Sequence, residues 1–540
     1  MDLNAASYLS KQAIINPKGS AIIVPPKNSF LVKVQAIELS FRELDDKTGV
    51  LASYFKAMGI QKGSRVLMMV KPGLDLIQVV FALLKLGAVP IVIDPGMGMR
   101  RFFQSAADAK ASFIIGGRIA ICLSKVYAKN KKHIKKFISL DTTFRKELLN
   151  FRNKEKEEVV PVKGEDLAAI LFTSGSTGPA KGVCYTHGMF SAQIELIQKQ
   201  YKIAPGEVDL PMLPVFALFN PAFGTCTVVP DMNPSRPASV NPRKIVTSIL
   251  ENKVTYSFGS PAIWTKIVSY CEALNIQMPS LRRVMMAGAP APQSLLIRLK
   301  KFLPNGEIHT PYGATEALPV TTISASEIFE KQVGLFNHGR KGICVGRAFP
   351  SVGIKVIQVV NEAIETIEAI QECAVGEVGE IIVTGPSVTK FYDGLKEATA
   401  ISKIHDGKNV WHRMGDVGWI DADGFLWFCG RKVERVVVGN KIFETVCCES
   451  VFNQMEFVAR SALVAIDNKP CIVIEPVKEA FPKDDAAKRA LTKLLRQQAL
   501  SDPNTELIKD FYFEQSFPVD IRHNAKIHRL SLAKKLSNSQ

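Results

Sequence analysis

Cysteine pairs at metal-binding spacing are missing from this chain. The ten cysteines are scattered, no Cys-x-x-Cys pair occurs, and the only adjacent two are Cys447 and Cys448. This usage argues against a disulfide framework or a zinc site and favours reduced thiols in the cytoplasm. The N-terminus lacks a basic stretch followed by an apolar core, so we expect no signal peptide.

Uninterrupted apolar runs of membrane-spanning length are missing as well. The most apolar stretch, 74–93, is broken by Gln78, Lys85 and Pro90. A transmembrane helix needs about 20 consecutive apolar residues. The stretch therefore predicts a buried helix followed by a strand, and a protein that does not cross a membrane.

Acidic residues are in deficit. The chain has 68 Lys and Arg against 51 Asp and Glu, a formal charge of +17. Such a balance favours anionic partners such as nucleotides, phospholipid surfaces or acyl carriers. Much of the excess lies in residues 125–157, which we interpret as a solvated helix face, with a membrane-facing basic patch as the alternative. Aromatic residues are not interleaved with the basic ones, so we expect no nucleic-acid partner.

The 540 residues are too many for one ordinary core, so we expect two or more domains. Apolar runs alternate with helical patterns from about 60 to 320, which predicts α/β layers with largely parallel strands. From about 343 to 430, short β-rich runs separated by Gly, Asp and Pro predict a smaller antiparallel or barrel-like subdomain. A domain boundary follows near residue 430.

The most informative motif is the loop at 173–182, Thr-Ser-Gly-Ser-Thr-Gly-Pro-Ala-Lys-Gly, which follows an apolar, strand-like run at 167–172. Its glycines allow tight turns that bring N–H groups close to a ligand, and its hydroxyls and Lys181 add donors and a positive charge. These properties suit nucleotide phosphates. The loop is not a Walker A motif, because Lys181 is followed by Gly182 instead of Ser or Thr. A Gly/Ser-rich linker is the alternative.

Further motifs with ligand-binding chemistry follow in order. They are Ala287-Gly288-Ala289-Pro290, Tyr312-Gly313-Ala314-Thr315-Glu316, Gly415-Asp416, Gly430-Arg431 and Asn524-Ala525-Lys526-Ile527. Each has an ordinary explanation when taken singly. Glu316 alone suits a helix cap, Asp416 alone a turn, and Lys526 alone a solvated surface.

In this order, the motifs resemble the adenylate-forming superfamily, which includes acyl-CoA synthetases, luciferases and peptide-synthetase adenylation domains. The resemblance covers nearly the whole chain, from residues 39–44 to Lys526. It implies a large N-terminal domain (1–430) of layered sheets and helices with a β-barrel-like subdomain, a hinge at 431–434, and a small mobile α+β lid domain (435–540). It also implies ATP as co-substrate and Mg²⁺.

The resemblance implies a role for each motif residue. The phosphates of ATP would be held by Thr173, Ser174, Gly175, Ser176, Thr177, Gly178 and Lys181. Adenosine and the domain junction would be contacted by Gly288, Ala289, Tyr312, Gly313, Thr315, Asp416 and Arg431. Thr177 and Glu316 would hold Mg²⁺, and Lys526 would bridge the attacking carboxylate and the α-phosphate.

Two segments depart from the superfamily pattern. Val433 stands where most members have an acidic hinge residue, and 444–449 replaces the usual Pro-x-Glu-Ile-Glu segment. In thioester-forming members this region shapes the pantetheine channel, so its alteration argues against a CoA-dependent second step. Other stretches resemble the β-lactone synthetases of bacterial long-chain olefin biosynthesis; they are 210–219, 231–237, 312–320 and 517–527.

That branch implies activation of a long-chain 3-hydroxy carboxylic acid as its acyl-adenylate, followed by attack of its own hydroxyl to give a β-lactone and AMP. There are three alternatives: a fatty acyl-CoA synthetase, an acyl-carrier ligase, and a catalytically silent nucleotide-binding scaffold. Contacts with a membrane or with other lipid- or olefin-biosynthesis enzymes are compatible with the sequence, and the oligomeric state is open.

Four aromatic residues would line an acyl tunnel or belong to the core; they are Phe216, Phe219, Phe223 and Trp264.

Overall fold

The computed structural model describes residues 3–28, 33–127, 133–151, 156–173, 180–330, 342–519 and 527–537. Its helices are α1 (Ser7–Ile15), α2 (Phe41–Ala57), α3 (Leu74–Lys85), α4 (Met99–Asp108), α5 (Arg118–Tyr127), α6 (Thr142–Leu149), α7 (His187–Tyr201), α8 (Asn220–Phe223), α9 (Pro242–Glu251), α10 (Pro261–Leu274), α11 (Gln293–Lys300), α12 (Ala325–Glu330), α13 (Lys396–Ser402), α14 (Thr445–Phe452), α15 (Asp485–Leu500) and α16 (Arg529–Ser537). Its strands are β1 (Ser20–Val24), β2 (Lys27–Asn28), β3 (Lys33–Val34), β4 (Ile37–Ser40), β5 (Arg65–Met69), β6 (Val89–Val92), β7 (Phe113–Gly116), β8 (Lys136–Ser139), β9 (Leu167–Thr173), β10 (Lys181–Thr186), β11 (Val208–Asp209), β12 (Cys226–Val228), β13 (Tyr256–Gly259), β14 (Arg283–Met286), β15 (Glu307–His309), β16 (Tyr312–Ala314), β17 (Ala317–Thr322), β18 (Ile343–Ala348), β19 (Gly353–Ile357), β20 (Gly379–Thr384), β21 (Lys403–Asp406), β22 (Asn409–Ile420), β23 (Leu426–Arg431), β24 (Val436–Val438), β25 (Lys441–Phe443), β26 (Val458–Ile466), β27 (Lys469–Pro476) and β28 (Asp510–Phe513).

Two sheets form the α/β part of the large domain. One has the order β15-β14-β13-β11-β12-β1-β4 and the other the order β10-β9-β6-β5-β7-β8. Within each sheet the strands are parallel except at one end, where β4 is antiparallel to β1 and β10 is antiparallel to β9. The alternation of strands and helices predicted from the sequence is confirmed.

Apolar composition explains why these strands are central. All four residues of β7 are buried, as expected for parallel strands covered on both faces. The apolar stretch at 74–93 forms α3 and β6, as predicted, and its buried Lys85 is paired with Asp45 at 2.8 Å. Within the described part of the chain, no helix has the length and apolarity needed to span a bilayer.

A third, antiparallel sheet covers residues 312–431. Its order is β16-β17-β18-β23-β22-β20-β19, with β21 added on β22. It thus includes two strands that precede the β-rich region noted in the sequence. The run at 418–428 is split into the ends of β22 and β23, because the Asp421 carboxylate accepts hydrogen bonds from the Phe425 N–H and Trp427 Nε1 and closes a turn. This hairpin places Asp416 directly opposite Arg431.

The C-terminal region forms a smaller domain with its own core. Its three-stranded sheet has the order β26-β27-β28, with α14 and α16 packed against β26. Leu463 and Ile472 belong to one buried apolar cluster of this region, and Val464 and Val473 belong to another. The mixed architecture with a large and a small domain agrees with the sequence prediction.

Candidate active site

The predicted phosphate loop connects β9 to β10. Thr173 is the last residue of β9 and Lys181 the first of β10, and the two are paired in the antiparallel ladder. Six of the predicted site residues lie outside the described residues, and the side chain of Thr173 does too; the six are Ser174, Gly175, Ser176, Thr177, Gly178 and Lys526. The described part of the site is therefore built from Lys181 and the motifs that follow it.

Lys181 lies beside a tyrosine from the third sheet. A bridge between Val183 and Tyr392 joins β10 to the segment after β20. The Lys181 Nζ lies 4.9 Å from the centroid of the Tyr392 ring, within range of a cation–π interaction. The Tyr392 hydroxyl donates a hydrogen bond to Glu316 Oε1 at 3.0 Å. Tyr392 thus connects the predicted phosphate-binding lysine to the predicted metal-binding carboxylate.

A second lysine approaches the same ring. The Lys403 Nζ is 5.8 Å from the Tyr392 centroid and donates a hydrogen bond to Thr389 Oγ1 at 2.9 Å. The Thr389 N–H and Oγ1 both donate to the Glu316 carbonyl, at 2.9 and 3.0 Å. We call Lys181, Glu316, Thr389, Tyr392 and Lys403 the Tyr392 cluster.

Burial governs the ionisation of this cluster. Lys403 is only 1% exposed. Its burial lowers the pKa to about 7, while Glu316 acts to raise it and Lys181 to lower it further. Burial and the neighbouring Glu316 also raise the pKa of Tyr392, so its hydroxyl keeps its proton and acts as a donor. The cluster can therefore accept an anion, which would favour the charged form of Lys403.

A separate group surrounds Asp416. The Tyr312 hydroxyl donates to Asp416 Oδ2 at 2.6 Å, and Arg431 Nη1 donates to Asp416 Oδ1 at 2.8 Å and to the Met414 carbonyl at 3.2 Å. Burial and the Asp416 charge raise the pKa of Tyr312, and Asp416 raises the pKa of Arg431. We call Tyr312, Asp416 and Arg431 the Asp416 cluster. Each oxygen of the Asp416 carboxylate accepts a hydrogen bond from a protein donor.

The other predicted nucleoside residues lie around these two clusters. Gly288 and Ala289 follow β14, and Gly288 has φ +90°, a conformation that favours glycine. Ala287 and Tyr312 pack against the same apolar cluster, which brings the 287–289 turn and the Tyr312 strand to one region. Gly313 lies in β16. The Thr315 carbonyl accepts a 2.6 Å hydrogen bond from the Tyr185 hydroxyl.

Sequence reasoning missed Thr389, Tyr392 and Lys403. They belong to a segment with no glycine-rich pattern, and they join the site through the bridges of Tyr392 to Val183 and of Val388 to Ala317. No local sequence signal marks Lys403, because β21 reads Lys-Ile-His-Asp with a single apolar residue, and only the structure shows that Lys403 and Ile404 are buried.

The four aromatic residues proposed for the acyl tunnel divide into two groups. Phe219, Phe223 and Trp264 are buried in apolar clusters of the core. Phe216 is half-buried and stacks on Phe258, with ring centroids 3.7 Å apart. Trp264 is fully buried in the core, as expected if it is a packing residue and does not line a tunnel.

An apolar pocket lies near Phe216. It is small and open to solvent, and its lining includes Leu76, Pro211, Ala217 and Met232. Part of its lining follows β11 and β12, so that part lies at the same sheet edge as Gly288, which follows β14. Two to three strand spacings separate the two places, or roughly 10–14 Å. A ligand bound beside Gly288 could extend an apolar chain into this pocket.

Ion pairs anchor the residues on either side of Val433. Lys432 Nζ lies 3.0 Å from Glu380 Oε2 in the large domain. Glu434 Oε2 lies 2.7 Å from Nη1 of Arg529, which belongs to the small domain and is also paired there with Glu449 at 2.7 Å. Val433 itself is 59% exposed.

Comparison with known proteins shows the family to which the chain belongs. Residues 21–393 match the family model described as AMP-binding enzyme. The olefin beta-lactone synthetases of Xanthomonas campestris pv. campestris and Stenotrophomonas maltophilia are 35% and 36% identical to the chain, each over 98% of it and 97% of the relative. The o-succinylbenzoate CoA synthetase of Bacillus subtilis, solved with its acyl-adenylate intermediate, has the same fold, with a TM-score of 0.76, 21% identity, and 97% of each chain covered. The chain belongs to the AMP-binding enzyme family.

Proposed function

We propose that this enzyme uses ATP to activate a long-chain 3-hydroxy carboxylic acid and then closes it to a β-lactone. The observation that carries the proposal is that the site has two parts. The Tyr392 cluster lies next to the strand that follows the phosphate loop, and the Asp416 cluster lies near the turn at 287–289. Similarity to two olefin beta-lactone synthetases over 98% of the chain supports the choice of reaction.

In the first step a carboxylate oxygen of the acid attacks the α-phosphorus of ATP. The bond from this phosphorus to the bridging oxygen breaks, and pyrophosphate leaves with that electron pair. Both reactants are anions, so fixed positive charges must offset their repulsion. We assign this task to Lys181 and to Lys526, which lies outside the described residues.

The Asp416 cluster would hold the nucleoside. A ribose hydroxyl can donate to a carboxylate oxygen of Asp416 while Tyr312 and Arg431 keep that carboxylate oriented. Gly288 and Ala289 would line adenine through their backbone. These contacts bind substrate and product alike, so their main contribution is positioning.

Glu316 fits the magnesium ion that accompanies ATP in this proposal. Mg²⁺ bound with a polyphosphate keeps several waters and needs only one or two carboxylate or hydroxyl ligands. Glu316 offers a hard carboxylate oriented by Tyr392, and Thr177, outside the described residues, would add a hydroxyl. Bound there, the ion would neutralise phosphate charge.

In the second step the 3-hydroxyl oxygen of the substrate attacks the acyl carbon and loses its proton. The bond from the acyl carbon to the phosphate oxygen breaks, and AMP leaves with that electron pair. The nucleophile belongs to the substrate, so holding the chain in a folded conformation supplies the required proximity. We assign the alkyl part of the substrate to the apolar side chains around this small pocket, beside Pro211 and Met232.

We propose that the domains, 1–430 and 435–540, turn about Val433. Lys432 is paired with the large domain and Glu434 with the small one, so rotation of the backbone between them would break no ion pair among the described residues. The absence of an acidic side chain at Val433 and the altered 444–449 segment are compatible with a second step that needs no CoA.

We also propose a cytoplasmic location. All ten cysteines lie within the described residues, and none of them forms a disulfide. Adjacent Cys447 and Cys448 are both buried in α14. Such thiols suit a reducing compartment.

The test is product analysis by mass spectrometry with ATP, Mg²⁺ and a panel of 3-hydroxy and simple fatty acids, with and without CoA. We expect AMP, pyrophosphate and a product 18 mass units lighter than the 3-hydroxy acid, independent of CoA. If a thioester is the product and forms only with CoA, the enzyme is an acyl-CoA synthetase and the β-lactone proposal is wrong. If no acid causes release of AMP, the chain acts as a nucleotide-binding scaffold without catalysis, and the proposed reaction is wrong.

A paired lysine test checks the first step. Lys526→Ala should lower acid-dependent pyrophosphate exchange by about 100-fold while ATP still binds, because it removes a charge needed mainly in the transition state. Lys534→Ala, on the exposed face of α16, is the matched control and should exchange like the parent enzyme. Unchanged exchange in the Lys526 variant would remove that lysine from the mechanism.

A further inference from the structure

Helix α5 has an apolar face that is turned toward solvent. Ile119 is 79% exposed and Val126 is 69% exposed. Cys122 and Leu123 are exposed as well, and positions 119, 122, 123 and 126 share one side of a helix. Helices of globular proteins ordinarily turn their apolar side inward.

The buried side of α5 contains a polar residue. Ser124 is fully buried, and its hydroxyl lies 2.7 Å from the Ala120 carbonyl and 3.0 Å from Met69 Sδ. The polarity of the helix is thus partly inverted, with a serine inside and aliphatic residues outside. Ile119, Leu123 and Val126 belong to no buried apolar cluster among the described residues, and their side chains are exposed.

Basic residues flank this face. Arg118 and Lys125 lie next to it on the helix, and Lys135 and Lys136 are exposed where β8 begins; α5 packs against β8. Lys125, Lys135 and Lys136 form no ion pair with any described residue. Residues 99–136 contain ten Lys and Arg and a single acidic residue, Asp108, so this stretch carries +9 of the chain's +17.

We propose that α5 and its basic flank form a docking surface for an anionic lipid bilayer. An aliphatic strip flanked by lysines matches the interface of such a bilayer, where apolar side chains enter the headgroup boundary and ammonium groups meet phosphates. Charge complementarity favours this partner, because an apolar protein surface would not require the four basic side chains that lie beside the strip, Arg118, Lys125, Lys135 and Lys136. We call Ile119, Cys122, Leu123 and Val126 the α5 face.

The beginning of α5 lies at the same edge of the sheet as the end of β9, whereas Lys135 and Lys136 lie at the opposite edge, where β8 begins. α5 follows the carboxyl end of β7, and the phosphate loop follows the carboxyl end of β9 in the same sheet, where these strands are parallel through β5 and β6. The proposal does not depend on which acid the enzyme activates.

The experiment is flotation of the full-length protein with two kinds of vesicle, one of phosphatidylcholine alone and one with 30% phosphatidylglycerol. We expect binding to the anionic vesicles, at least tenfold weaker binding to the neutral ones, and weaker binding in 300 mM than in 50 mM NaCl. Absence of binding to the anionic vesicles would overturn the proposal.

Variants separate the apolar and ionic contributions. The double change Ile119→Asn and Val126→Asn should weaken anionic-vesicle binding at least tenfold, and so should Lys125→Gln with Lys135→Gln and Lys136→Gln. Val375→Asn with Leu500→Asn is the apolar control, since these side chains are 72% and 73% exposed. Lys408→Gln with Lys488→Gln and Lys493→Gln is the charge control.

All of these side chains are on the surface, so each variant should fold and adenylate a short, water-soluble acid like the parent. Equal vesicle binding by the apolar variant and its control would overturn the proposal. A change from oligomer to monomer caused by the apolar variant without lipid would also overturn it, in favour of an interface between copies. A polarity-sensitive dye on the exposed Cys122 should shift to the blue with anionic vesicles only.

Discussion

The two ends of the candidate site differ in net charge. The Tyr392 cluster sets two lysines against one glutamate, so with both lysines protonated it carries an excess positive charge. The Asp416 cluster balances one carboxylate with one guanidinium and is neutral. The first arrangement suits a polyphosphate, and the second suits an uncharged sugar and base. We infer that the Tyr392 cluster recognises charge and that the Asp416 cluster recognises shape and hydroxyl groups.

The largest expected effect is at the neutral end. Asp416→Asn removes charge-assisted hydrogen bonds and leaves Arg431 without its partner, which should weaken ATP and AMP binding alike by about 10–100-fold. Titration calorimetry with both nucleotides measures this. Asp423→Asn, an exposed change in the same hairpin, is the control. Normal AMP affinity in the Asp416 variant would contradict its assignment to the nucleoside.

The next effect should be confined to the charged end. Glu316→Gln keeps the size of the side chain and removes its charge, so the Mg²⁺ concentration for half-maximal adenylation should rise about tenfold. The affinity for AMP without metal should stay within about twofold. The exposed Glu368→Gln is the control. If Glu316→Gln weakens the binding of ATP and of AMP by the same factor, the two parts of the site do not differ in the way proposed.

A smaller effect is expected from Tyr392→Phe. The change removes the hydrogen bond to Glu316 and keeps the ring between the two lysines. A loss of about 1 kcal/mol, or roughly fivefold in the KM for Mg·ATP, should follow, with AMP binding unchanged. If the KM does not change, the tyrosine hydroxyl has no part in orienting Glu316.

The smallest expected effect is the uptake of a fraction of a proton when the triphosphate binds. Because burial lowers the pKa of Lys403 to about 7, the triphosphate should raise this pKa and cause uptake of up to about 0.8 proton at pH 7.5. Calorimetry in buffers of different ionisation enthalpy measures the uptake. Adenosine should cause none, and Lys403→Met should abolish the uptake with ATP. The same uptake in that variant would assign the proton to another group.

The same lysine predicts the sign of a stability change with pH. Between about pH 7 and its ordinary pKa of 10.5, the unfolded chain binds the Lys403 proton and the folded chain does not. The free energy of unfolding of the ligand-free protein should therefore rise with pH in this window, relative to Lys403→Met. Denaturant titrations of both proteins at pH 7 and pH 9 provide the comparison.

Much of the neutral end could be predicted from the sequence. Tyr312, Asp416 and Arg431 each lie in a short motif, and the structure brings the three together within hydrogen-bonding distance. The charged end was only half predicted. Lys181 and Glu316 have motifs, whereas Tyr392 and Lys403 reach them from a segment whose local pattern is that of an ordinary loop and strand. Trp264 was a candidate for the acyl tunnel and is inaccessible in the core.

By itself the sequence determined the alternation of strands and helices, the order of the motifs and the unequal charge distribution, because each is a local property of neighbouring residues. The tertiary structure decided which side chains share a site, which lysine is buried and which helix exposes its apolar side. These depend on contacts between residues far apart in the chain, such as Val183 with Tyr392, and on the burial that such contacts produce. Burial in turn sets the charge of Lys403, which no local pattern contains.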